Sequence, residues 1–237
     1  MLTLAFETSA KAASVALLEG SKLLGESYQN TGLTHSQTLM VMAEDLLKCC
    51  GYTPKQVQAV AVAAGPGSFT GIRIGVAAAK GFAWGGELPC YGVSTLEAMA
   101  QTLGIYDGYI MPVMDARRNQ VYNALFLAEA GKLTRVREDR AIALTELAED
   151  VKFLEKPIFL VGDGSTLCYN TLVEAVPQLV LPPEHRMHQR AVGVGLVAAG
   201  MIEQGIGGNG AELTPNYLRL SQAERERLAR ENREKGV

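Results

Sequence analysis

The chain of 237 residues lacks any surplus of positive charge, with a formal net charge of −3. Proteins that grip a phosphate backbone unaided carry a general basic field, so strong independent binding of nucleic acid is excluded. It also lacks the cysteine spacing of a zinc ribbon or a secreted disulfide scaffold. Cys49, Cys50, Cys90 and Cys168 form no Cys-x-x-Cys pair and no dense array, and buried free thiols are expected. No apolar stretch reaches membrane-spanning length uninterrupted, and Leu2-Thr3-Leu4-Ala5-Phe6 shows no basic segment or cleavage site. A soluble cytoplasmic protein without a membrane role is therefore expected.

Reactive groups are scarce as well. His35, His185 and His188 are the only imidazoles. His35 opens a helical stretch, but the residue four on is Leu39, so no helical pair of ligands forms there. His185 and His188 lack an evident third ligand, and no metal site is expected. Gly164-Ser165 and Gly67-Ser68 lack the Gly-x-Ser-x-Gly setting of a nucleophile elbow. No catalytic residue is assigned.

Apolar material, in contrast, is plentiful at 48% of the chain, enough for one large domain or two small ones sharing an interface. Leu2–Phe6, Ser14–Leu18 and Lys22–Tyr28 read as a strand meander turned at Gly20-Ser21. A helix capped by Thr34 is expected over His35–Cys50, stopped by Gly51. A buried strand over Gln58–Ala64 leads through Gly65-Pro66-Gly67-Ser68-Phe69-Thr70-Gly71 into a helix over Ile72–Trp84. A strand over Pro89–Val93 and a helix capped by Ser94 or Thr95 through Leu103 follow. Gly104 to Gly108 make the boundary between halves.

The pattern then repeats. Ile110–Asp115, Val121–Leu127 and Lys132–Arg137 form a second meander, and Met114-Asp115-Ala116-Arg117 answers Phe6-Glu7-Thr8-Ser9. A helix over Leu144–Leu154, a strand over Ile158–Val161 ending at Gly162-Asp163-Gly164, and helices over Ser165–Ala175 and Gln189–Gln204 complete it. Two tandem βββαβα units describe an α/β, actin-like (ribonuclease H-like) architecture, with lobes 1–105 and 106–237. The tail Ser221–Lys235 alternates Arg and Glu and reads as a solvated helix.

The glycine-rich turn matches neither a Walker A loop, which needs a Lys where Ile72 stands, nor a dinucleotide fingerprint, which needs Gly at Thr70. It reads as a packing turn first and a phosphate cradle second. In actin-like kinases a carboxylate after the first strand of each half manages the metal and phosphates of ATP. Glu7 and Asp115 hold those positions, yet neither is followed by the expected Gly. Glu7, Thr8, Ser9 and Asp115 are thus expected to be vestigial or interfacial nucleotide contacts, with no cofactor required by the chain itself. The two helices carry more apolar residues than one core-facing stripe needs, which leaves a central position in the fold or a binding face as alternatives.

The block Ala64 to Gly75, containing Gly-Pro-Gly-Ser-Phe-Thr-Gly-Ile-Arg, resembles the signature of the TsaB (YeaZ) family. Thr34-His35-Ser36, Gly92-Val93-Ser94-Thr95-Leu96, Asp115-Ala116-Arg117 with Val121-Tyr122, and Pro215-Asn216-Tyr217-Leu218-Arg219 extend the resemblance over nearly the whole chain. Glu7 departs from it, since the family usually has Asp there. The resemblance implies a degenerate relative of the enzyme TsaD that lacks its metal-binding His-x-x-x-His, Leu39 standing in place of the second His. It further implies a non-catalytic subunit that pairs with TsaD, is joined by the ATPase TsaE, and supports threonylcarbamoyl transfer to the adenosine beside the anticodon of tRNAs. Leu39, Met42, Leu46, Arg73, Ile74, Ala78 and Phe82 would form the TsaD-binding face. A homodimer through that face is expected for the isolated chain, with tRNA reached only through the complex and ATP or ADP only at its interface. The rival readings are a kinase or ATPase of the actin-like superfamily and a metalloprotease-like protein.

Overall fold

The computed structural model describes residues 1–219, and the Ser221–Lys235 tail lies outside them. The first half places β1 (Leu2–Glu7), β2 (Ala13–Glu19), β3 (Lys22–Gln29), α1 (His35–Cys49), β4 (Ala59–Gly65), α2 (Phe69–Gly86), β5 (Cys90–Ser94) and α3 (Thr95–Leu103) in chain order. Its sheet runs β3-β2-β1-β4-β5, with β1 antiparallel to β2 and parallel to β4. The second half holds β6 (Gly108–Asp115), β7 (Gln120–Glu129), β8 (Lys132–Ala143), α4 (Leu144–Val151), β9 (Ile158–Val161), α5 (Ser165–Leu172), β10 (Leu179–Val180), α6 (Glu184–Met187) and α7 (Ala191–Glu203). Its sheet runs β8-β7-β6-β9-β10, the same order and the same mixture of directions.

Side-chain size alternates along the first sheet, and that alternation decides what covers each face. Leu4, Phe6, Val15, Leu17, Val60 and Val62 point to the side that α1 and α2 cover. Ala5, Ala16, Ala59, Ala61 and Ala63 point to the other, where α7 lies. Successive strand residues face opposite ways, so large and small residues in alternation build one thick and one thin side. On the thin side α7 comes close: a Cβ on Gly195 would meet Leu18 Cδ1 at 2.2 Å, and one on Gly193 would meet the Ala98 carbonyl at 2.0 Å.

The expected division at Gly104 to Gly108 separates the two sheets but not the packing layers. α3 belongs by sequence to the first half, yet Leu96, Met99, Ala100 and Leu103 pack with Ile110, Ala124 and Phe126 of the second sheet. α7 belongs to the second half and covers the first sheet. The halves exchange one helix each and cross where α3 meets α7. Arg135 of β8 fastens the exchange, donating to Glu97 of α3 and to Asp139, both at 2.6 Å, while lying over the Phe126 ring.

Several bounds differ from the sequence expectation. β8 continues to Ala143 instead of stopping at Arg137, because its charged run pairs with β7 through two register shifts. α2 begins at Phe69, since the Ser68 hydroxyl accepts from the Gly71 N–H and starts the helix inside the glycine turn. α1 starts after Thr34 as expected, but without a side-chain cap. β10 and α6 were not foreseen; two and four residues are too short to carry a periodic signal.

α1 shows how much of its apolar surface is core. Leu39, Met42, Ala43, Leu46 and Leu47 are buried at helical spacing, whereas Met40 is 44% exposed. Leu39→Ala should therefore cost about 2–5 kcal/mol of unfolding free energy, and Met40→Ala within about 0.5 kcal/mol. Urea denaturation of both variants checks the ranking, and equal midpoints would place Leu39 outside the core.

Candidate functional site

A cleft of about 640 Å³ opens between the lobes, walled by Ser9, Lys11, Gly67 to Thr70, Asp115 to Arg117, Tyr122, Asp163 and Arg219. The ends of β1, β4, β6 and β9 converge on it, as expected where parallel strands release their loops. The repeat persists at atomic level. Glu7 Oε1 accepts the Ser9 N–H at 2.6 Å, and Asp115 Oδ1 accepts the Arg117 N–H at 2.7 Å. Each half spends its first carboxylate on its own turn.

The turns differ in what they present. Glu7, Thr8 and Ser9 are wholly buried. The glycine turn presses on them: Ser68 N–H donates to the Ser9 carbonyl at 2.6 Å, and the Thr8 hydroxyl donates to the Gly71 carbonyl at 2.8 Å. A Cβ on Gly71 would stand 2.1 Å from the Thr8 carbonyl. The turn is thus a packing device, and it shuts Glu7 and Thr8 away from any ligand in the cleft. Of the four expected nucleotide contacts, Asp115 alone has an exposed side chain, and Ser9 adds wall but no accessible surface.

Opposite them, Arg117, Arg118 and Asn119 hold φ of 62°, 58° and 56° in succession. Left-handed backbone at side-chain-bearing residues costs roughly 1 kcal/mol or more apiece. The turn is held by the Asp115 carboxylate, by Ala116 N–H to the Gln120 carbonyl and by Leu144 N–H to the Asn119 carbonyl. Both arginines are displayed at the surface. Asp163 was named in the sequence only as the end of a strand. It sits on the cleft wall and accepts from Gln189 Nε2 at 2.8 Å. One side of it opens to the cleft while protein crowds the rest, and lost hydration followed by the Asp115 charge raises its pKa. The signal that marks it is its place, a carboxylate two residues past the end of a central strand, where Glu7 and Asp115 are the last residues of theirs.

Burial also pushes Glu7 up from 4.5 to about 7, opposed by its bonds to Ser9 and assisted by the Asp163 charge. Its Oε2 finds no protein partner, which favours the neutral acid.

Of the residues expected to face a partner, Leu39, Met42 and Leu46 are buried in the first lobe's own core. Ile74, Ala78 and Phe82, spaced four apart on α2, are half-buried against that core. Arg73 is exposed but engaged, its Nε donating to the Tyr217 hydroxyl at 2.8 Å. What faces outward is Met40 and Val41 on α1, and Ala77, Gly81 and Trp84 on α2. Trp84 is 87% exposed. Its helical neighbours Ala77 and Gly81, seven and three residues back, are small enough to let a second helix approach closely.

Two βββαβα halves around such a cleft, with exchanged helices, define a two-lobed protein of the actin-like class. A family model described as TsaD: tRNA N6-adenosine threonylcarbamoyltransferase matches residues 29–225. The chain is 32% identical over 224 residues to the tRNA threonylcarbamoyladenosine biosynthesis protein TsaB of Bacillus subtilis, spanning 94% of this chain and 96% of that one. It is 34% identical over 152 residues to the Escherichia coli K12 TsaB, spanning 63% and 65%. The solved YeaZ structure from Pseudomonas aeruginosa aligns with a TM-score of 0.75 at 26% identity, covering 92% of this chain and 99% of that one. The chain belongs to the TsaB (YeaZ) family of tRNA threonylcarbamoyladenosine biosynthesis. Among the described residues, no helix is long and apolar enough to cross a membrane.

Because the folded pKa of Glu7 exceeds its unfolded value, the folded state holds the extra proton between pH 4.5 and about 7. Stability falls as pH rises through that window, and the full penalty, roughly 3 kcal/mol, stands above it. Glu7→Gln mimics the neutral acid. It should leave stability unchanged near pH 4 and raise it by about 1–3 kcal/mol at pH 8. Urea titrations of both proteins across pH 4–8 check this; parallel stability curves would mean that Glu7 ionises normally.

Proposed function

We propose that this chain is a non-catalytic scaffold and activating subunit, which pairs with TsaD, is joined by TsaE, and so supports formation of N6-threonylcarbamoyladenosine next to the anticodon of tRNAs. The observation that carries this reading is the apolar side chains left outward on α1 and α2, Met40, Val41 and above all Trp84. Apolar helix surface left outward can serve as a docking site, and large aromatic side chains such as Trp84 carry much of the energy of such contacts. The cleft supports the same reading from the opposite direction. Glu7 is enclosed and neutral in tendency, and Asp115 is occupied with its own turn, so neither is poised to organise phosphates. On this reading the chain needs no cofactor, and ATP or ADP belongs at the junction with the partner. Two isolated copies bury the same face symmetrically, and tRNA is reached through the complex.

A pull-down with the cognate TsaD tests the docking face. Trp84→Glu together with Ala77→Glu should reduce capture at least tenfold while circular dichroism and melting temperature stay near those of the parent. Undiminished capture by the folded double variant refutes the assignment. Omitting each protein in turn from a reconstituted tRNA modification assay tests role and partner together.

The second reading is a nucleotide-using enzyme, favoured by the open inter-lobe cleft with Lys11, Arg117 and Arg219 on its walls. Calorimetry of the isolated chain with ATP and magnesium separates the two. Turnover that disappears in Asp115→Ala selects the enzyme, and its absence selects the scaffold.

A further inference from the structure

The segment 211–219 carries no regular secondary structure, yet it is among the most closely fitted parts of the surface. Leu213 is buried in the core of the first lobe. A Cβ on Gly92 would meet Leu213 Cδ1 at 2.3 Å, and one on Gly65 would meet the Asn216 carbonyl oxygen at the same distance. Gly65 at the end of β4 and Gly92 in the middle of β5 therefore leave room for this segment and for no side chain of their own. Lys80 of α2 donates to the carbonyls of Ala211 and Leu213 at 3.4 and 3.1 Å, and Asn216 N–H donates to the Ala64 carbonyl at 2.7 Å.

Further along, the Tyr217 ring stacks on Phe69 with centroids 4.0 Å apart and planes 9° from parallel. Arg73 lies over the Phe69 ring at 4.5 Å while donating to the Tyr217 hydroxyl. Tyr217 is thus pinned at the start of α2, on the first lobe's side of the cleft. Two residues later the chain has crossed. Arg219 Nη1 donates to the Ala116 carbonyl at 2.7 Å, in the turn between β6 and β7 of the second lobe.

The exchanged helices α3 and α7 join the lobes away from the residues that line the cleft, and Arg190 pairs with Glu26 beside them. A contact of that kind is compatible with rotation, as two-lobed proteins commonly close about a hinge. The Arg219 bond lies at the cleft walls instead, where Gly67 also approaches Met114 of the second lobe. We propose that residues 211–219 are a strap that holds the two lobes at one angle across the cleft, so that this chain keeps a set width instead of working as a hinge. The strap also ties α2 to the second lobe, because Lys80, Phe69 and Arg73 are its anchors on the first.

Spin labels at Lys22→Cys and Lys132→Cys, one on each lobe, report the inter-lobe distance in a Cys49→Ser, Cys50→Ala background. The intact strap should give one narrow distribution by double electron–electron resonance. Arg219→Ala, which removes a single bond to a surface turn and leaves both cores untouched, should at least double its width or add a longer population. Tyr217→Ala should do the same, whereas Tyr217→Phe, which keeps the stack, should stay closer to the parent. Distributions of unchanged width in Arg219→Ala and Tyr217→Ala, both folded by circular dichroism, overturn the proposal.

Discussion

The first lobe depends on a place where backbone meets backbone. The glycine turn after β4 lies directly on the turn after β1, with Gly67 facing the Ser9 carbonyl, Gly71 the Thr8 carbonyl and Gly75 the Thr8 hydroxyl. A methyl group at any of these positions would stand 2.5 Å or less from an oxygen. Glycine permits that approach, and the Ser68 N–H and Thr8 hydroxyl complete it with hydrogen bonds. Three consequences follow from the one contact. α2 is laid across the end of β1, Glu7 is sealed beneath it, and one side of the cleft becomes a wall of main chain.

Sealing Glu7 changes its chemistry. A carboxylate placed to manage a metal and phosphates must be ionised and reachable, and this one is neither favoured as a charge nor open to the cleft. Its counterpart Asp115 stays exposed but is committed to a turn of three left-handed residues. The family model of a tRNA-modifying enzyme matches most of the chain, and in both halves the carboxylate that ends the first strand is bonded within its own turn. Met40, Val41 and Trp84 remain outward on α1 and α2.

The repeat was legible in the sequence because both meanders carry the same alternation and the same carboxylate at the first strand's end. The glycine block and its packing role were legible too, since its spacing fitted no phosphate fingerprint. Which apolar helix residues stay outside the core was not. Leu39, Met42 and Leu46 are as apolar as Met40 and Val41, and an apolar stripe wider than one face does not say which part the core takes. The strap residues were visible only as Pro215-Asn216-Tyr217-Leu218-Arg219, and nothing local links Tyr217 to Phe69 across 148 positions of chain.

By itself, the sequence determined the long elements and their duplication, because period and turn chemistry act over a few residues. Tertiary structure alone decided that α3 and α7 change places between lobes, that Glu7 is enclosed, and that Trp84 rather than Met42 faces outward. Burial is a property of the neighbours a side chain acquires, and here those neighbours come from distant parts of the chain.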